Sequence, residues 1–101
     1  MVEWQRFEEE PSKIVDVDEL LGKTQVEFIF HALDQMRIRK ISEAEVLAVI
    51  RSPAVIGLPT QRGRERVRKF KKPTKAIDVV YEVLEDRIRV ITVFPKGFQR
   101  K

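Results

Sequence analysis

The 101-residue chain has no cysteine, which excludes a disulfide framework and any thiolate metal site. It has one histidine, His31, so a histidine-rich metal centre is excluded as well. No motif for a metal or a cofactor stands out, and none is expected. No apolar run approaches the roughly 18 residues of a membrane span, and no membrane partner is expected. The first residues, MVEWQRFEEEPSK, are acidic and lack the basic-then-apolar pattern of a signal peptide, so a cytoplasmic protein is the default. There are no repeats and no low-complexity tracts. The length fits one domain with a core large enough to hold itself together.

What the chain does have is charge, unevenly spread. Residues 1–20 carry seven acids against two bases, a net of −5. Residues 61–75, QRGRERVRKFKKPTK, carry eight bases against Glu65, a net of +7. A local basic segment is the electrostatic footprint of a polyanion, nucleic acid being the commonest. Arg62, Arg64, Arg66, Arg68, Lys69 and Lys71 are its candidate contacts. In a chain with 36% charged residues, a merely solvated basic face stands as the other reading.

Hydrophobic spacing divides the chain into an acidic tail (1–12), one α+β domain (13–97) and a C-terminal tail (98–101). DVDELLG reads as a short helix, with Asp16 and Glu19 as a capping box and Gly22 as its stop. QVEFIF alternates as a strand with Val26, Phe28 and Phe30 inward. His31 to Lys40 reads as a helix with Ala32, Leu33 and Met36 as its apolar stripe. SEAEVLAVIRSP is a second helix, capped by Ser42 and Glu45 and stopped by Pro53. The period then changes to two. AVIGLP is a short extended piece, RERVRKF a basic strand, and AIDVVYEVL and RIRVITVF two strands joined at a tight turn. Short turns imply antiparallel pairing. The expected product is two helices on one face of a twisted, mainly antiparallel sheet.

HALDQMRIRKIS resembles the signature H-A-x-x-R-M-x-x-R-x-I-S that opens a prokaryotic domain family of unknown function. That family is related to the RelE/ParE toxin superfamily and more distantly to BrnT-type toxins. The resemblance runs on through EVLAVIRSP, Gly63–Arg64 and the hairpin IDVVYEV…IRVITVFP, about residues 26 to 95. It implies a small RelE-like α+β domain and a toxin-like, metal-independent endoribonuclease, or a diverged relative that only binds RNA. The implied partners are RNA (mRNA or the ribosome) and an acidic antitoxin. Gln35 stands where the family has arginine, and Lys40 where it has glycine.

Metal-free RNA cleavage needs a base at the 2′-hydroxyl, cations around the phosphate and an acid for the leaving oxygen. Histidine is the one side chain whose ordinary pKa lies near neutrality. At about 100° per residue, His31 lies off the Leu33–Met36 stripe, at a cleft or surface, where it can act as base or cap the helix. Arg39, Arg62, Arg64 and Arg66 are the candidate phosphate clamps, with Arg39 and Arg64 taken into the candidate catalytic set beside His31. Arg39 is equally a partner for its helix C-terminus. Tyr81 can stack on a base or donate a proton, although its place on the apolar side of its strand favours the core. With Gln35 at the family's arginine position, the arginines of residues 62–66 have to supply the cation beside His31.

Two other functions compete. One is a non-enzymatic nucleic-acid-binding module, including a helix-turn-helix reading of the two helices. An apolar second helix with an acidic start suits DNA poorly. The other is a protein-interaction module in which the acidic tail covers the basic strand.

Overall fold

The computed structural model describes residues 12–97. The acidic tail except Ser12, Trp4 within it, and the C-terminal tail lie outside the described residues. The elements run β1 (Lys13–Leu20), β2 (Lys23–Phe28), α1 (Phe30–Arg39), α2 (Glu43–Arg51), β3 (Glu65–Lys72), β4 (Lys75–Val83) and β5 (Ile88–Gly97). They form an α+β fold with one five-stranded sheet, ordered β1-β2-β5-β4-β3. Every neighbouring pair is antiparallel except β2 and β5, which run parallel across Val26↔Ile88 to Phe28↔Val90.

The expected helix at DVDELLG is a strand and a turn. Val15 and Val17 point towards the core while Asp16 and Asp18 are exposed, so the β-period outweighs the capping-box pattern. A helix of this length would also have been marginal. Leu21 and Gly22 both have positive φ, the two-residue hairpin turn that returns the chain into β2. Strand β2 ends at Phe28. Phe30, expected inward on that strand, instead opens α1 and is 40% exposed. AVIGLP supplies a single bridge, Val55↔Arg68, on the outer edge of β3.

Helix α2 starts where expected, with both halves of the Ser42–Glu45 capping box in place. Its exposed residues are Ala44, Ala48 and Arg51, a surface with little to offer base edges. Helix α1 has no side-chain cap at its start. It ends at Lys40, which is left-handed (φ 58°) and lets the Ile41 N–H close on the Met36 carbonyl.

Both helices lie on one face of the sheet. Ala32 and Met36 of α1 and Val46, Val49 and Ile50 of α2 share a core with Val26, Phe28, Val67, Val79 and Val90. Side chains alternate along a strand. The other face therefore displays Glu27, Arg66, Arg68, Asp78, Val80, Glu82, Arg89, Thr92 and Phe94.

Candidate active site

The site forms where β2 leaves β5. Pairing stops at Phe28↔Val90, the Ile29 N–H makes one last bond to the Val90 carbonyl at 3.4 Å, and the chain turns into α1. Beyond that point the first turn of α1 stands beside β5. Strand β5 carries a bulge there: Val80 pairs with Thr92 but Tyr81 pairs with Val90, so Ile91 is extra. In a regular strand residues 90 and 92 share a face. The inserted residue lets Val90 stay in the core while Thr92 turns to the other face. Thr92 Oγ1 then meets His31 Nε2 at 3.2 Å.

His31, Thr92, Arg64, Glu82 and Arg89 line one hollow of about 510 Å³, with Ile29 and Ile91 as apolar wall. Glu82 holds the two arginines. Its Oε2 accepts from Arg64 Nε at 3.3 Å, and its Oε1 lies 4.0 Å from Arg89 Nη1. Arg64 engages only through Nε among the described residues, so its outer N–H groups are available to an anion. Arg89 Nε also donates to Glu27 Oε1 at 3.1 Å, and Arg87 Nε joins the same oxygen at 2.8 Å. Burial opposes the charge on Glu27, but the hydrogen bonds from Arg87 and Arg89 outweigh it and hold the carboxyl below its ordinary range.

Next to this chain of charges sits a second cluster. Asp78 is fully buried in the middle of β4 and is gripped by two arginines of the neighbouring strand β3. Arg68 donates from Nε at 2.6 Å and Nη2 at 3.0 Å, and Arg66 Nε at 2.9 Å. Burial raises the Asp78 pKa, but Arg68 and Arg66 more than reverse this and leave it lowered. Arg66 also lies over the Phe94 ring, 5.1 Å from its centroid.

The candidate residues from the sequence are thus dispersed. His31 and Arg64 come together in the hollow. Arg66 and Arg68 share its face of the sheet but are committed to Asp78. Lys69 donates to the Ser52 carbonyl and Lys71 pairs with Glu45, both towards the helix side, because a strand alternates its faces. Arg62 is exposed and makes no hydrogen bond or ion pair among the described residues. Arg39 lies at the far end of α1 and lines a different hollow. Tyr81 is buried in the core, 6% exposed, and burial followed by nearby Glu65 raises its pKa. His31 is exposed, and it caps nothing.

Glu82, Arg89 and Thr92 escaped the sequence reading. The available signal was polar residues alternating along strands that are otherwise apolar, which marks a second, charged face on the central strands. Among the described residues no cluster of acids and histidine has metal-site geometry, and no helix is long and apolar enough to cross a membrane.

No curated protein and no solved structure gave a significant match to the chain. One family model does match, over residues 28–95, which takes in α1, α2, β3, β4 and every residue lining the hollow. The chain belongs to the family described as Domain of unknown function (DUF4258).

Proposed function

We propose that the hollow cleaves RNA without a metal, by transfer of the phosphodiester to the neighbouring 2′-oxygen. The observation that carries this reading is the convergence of one histidine, one carboxylate and two arginines on a single hollow. The roles follow from what each group can do. Glu82 is the carboxyl group that lines the hollow, paired with Arg64 and Arg89, and a carboxylate is a chemical class suited to the general base. Imidazole is the side-chain class suited to the general acid, and His31 brings one to the hollow. Glu82 therefore takes the 2′-hydroxyl proton as the P–O2′ bond forms. His31, in its protonated form, gives a proton to the 5′-oxygen as the P–O5′ bond breaks. The products are a 2′,3′-cyclic phosphate and a free 5′-hydroxyl. Arg64 and Arg89 face the charge that builds on the phosphate oxygens. Thr92 orients the ring.

The likeness of the α1 sequence to relatives of the RelE/ParE toxins favours RNA over other phosphodiesters. It extends the proposal to a RelE-like fold, a cytoplasmic setting and an acidic antitoxin as partner. The test is incubation of the full chain with single-stranded RNA, and separately with translating ribosomes, both with metals chelated. Cleavage leaving cyclic phosphate ends, lost on His31→Ala and Glu82→Gln, is expected. RNA bound but left intact in both settings would replace the enzyme with a binding module.

A further inference from the structure

Most cations of the described chain have an internal partner. Those of the central sheet are tied to Glu27, Asp78 and Glu82, and Lys13, Lys71 and Arg37 pair with acids of the helices. Among the described residues, Arg62 and Lys72 stand apart, but the other four exceptions gather in one place. Arg39 and Lys40 at the C-terminal end of α1, Lys75 at the start of β4 and Lys96 near the end of β5 converge on one hollow of about 320 Å³. None of the four makes a side-chain hydrogen bond or ion pair among the described residues. A fifth cation, Lys71, lines the same hollow and is tied to Glu45. They meet at one end of the sheet, where α1 stops: Lys75 pairs with Gly97 and Lys96 with Ala76, so the two lysines flank the sheet's end from its two faces.

Like charges held in one concavity repel each other, and that cost is removed when an anion fills it. The backbone adds to the anomaly. Lys40 occupies a left-handed position that favours glycine, so a long cation stands there at a conformational cost. The end of α1 also brings negative carbonyl charge, which suits cations beside it and helps hold the cluster. The walls are aliphatic, with Ile41, Ile77 and Pro95, and among the described residues no aromatic ring lines them. A groove lined by several cations, with aliphatic walls between them, suits the phosphate backbone.

We infer that this hollow is a sequence-independent docking site for the RNA phosphate backbone, separate from the hollow at His31. Helix α1 spans ten residues between the two, roughly 15 Å, so one strand of RNA can engage both. This rests on the reading of RNA as substrate. The site sets how tightly RNA is held, and the hollow at His31 sets whether it is cut.

The test is RNA binding by full-length Lys75→Gln/Lys96→Gln, measured by fluorescence anisotropy with a labelled single-stranded RNA over a salt series. Arg62→Gln is the comparison, since Arg62 is an exposed cation outside this hollow with no partner among the described residues. The double variant is expected to weaken binding about tenfold or more. Two lost phosphate contacts should also flatten the log Kd against log salt slope by about 1.4. Arg62→Gln should change both less. In cleavage assays the double variant should raise KM and keep kcat. If RNA cleavage is absent but the double variant loses RNA affinity, the docking site stands and the enzyme reading falls. If cleavage occurs and the double variant binds as wild type, the docking site falls and the enzyme stands. Binding of a polyglutamate peptide in place of RNA, lost in the double variant, would overturn the inference in favour of an acidic protein partner.

Discussion

His31 Nε2 and Thr92 Oγ1 meet at 3.2 Å across a gap of 61 residues, joining the first turn of α1 to the sheet face that α1 does not cover. Only the bulge at Ile91 makes this possible. If Thr92 orients the ring, Thr92→Val should lower kcat about tenfold, the value of one hydrogen bond in the transition state. Thr92→Ser should restore it. Thermal unfolding should move little in either variant, because Thr92 is outside the core. Equal activity in all three proteins would remove Thr92 from the mechanism.

Arg64 and Glu82 form the charged heart of the hollow. Removing the base in Glu82→Gln should cost about 10²- to 10⁴-fold in kcat. Arg64→Lys should not rescue the loss seen in Arg64→Ala, since an ammonium cannot make the planar two-point contact to phosphate while bonded through Nε to Glu82. Single-turnover cleavage separates these chemical effects from RNA binding.

Tyr81 supplies the negative control. Its ring lies in the core layer beneath the sheet, while its neighbour Glu82 faces the hollow. Tyr81→Phe should leave the rate of RNA cleavage within about twofold of wild type. A hundredfold loss would mean that the phenol reaches the substrate after all.

Asp78 should govern acid stability. Its pKa is lower in the folded chain than its ordinary value near 4, so the stabilisation is complete above that value and is lost as pH falls through the lowered one. Asp78→Asn leaves Arg66 and Arg68 facing a neutral group and should cost about 3 kcal/mol at neutral pH. The variant should also lose stability less steeply below about pH 4. Urea unfolding across a pH series reads both effects. A variant as stable as wild type would mean that the arginines solvate freely without Asp78.

Lys40→Gly should stabilise the fold by about 1 kcal/mol, because the left-handed residue no longer carries a Cβ. The same change should weaken RNA binding by removing one cation of the docking hollow. Stability and affinity moving in opposite directions is the outcome to look for in paired urea and anisotropy measurements. A destabilised variant would mean that the Lys40 side chain contributes more than its backbone costs.

Several parts of this molecule were legible from local pattern. The Ser42–Glu45 capping box, the stop at Pro53 and the alternation through β3, β4 and β5 each use rules that span only a few residues. Asp16 and Glu19 satisfied a helical rule equally well, yet β1 forms because Val15 and Val17 find the core through β2, a partner that the local pattern does not name. Local spacing sets Arg39 and His31 on one helix, about two turns apart, within reach of one groove edge. The helix is long enough to carry them to opposite ends, into different hollows.

The sequence by itself determined the α+β class, the two helices, the apolar core stripe and the exposure of His31, since all of these follow from the period of apolar residues along a short stretch. The tertiary structure decided the rest. It set the parallel β2–β5 pairing and the bulge that turns Thr92 outward. It spent Arg66 and Arg68 on Asp78, and it left Arg39, Lys40, Lys75 and Lys96 together with no acidic partner among the described residues. Those outcomes depend on register between strands distant in the chain. Register is chosen by the burial of whole faces at once, which no local spacing encodes.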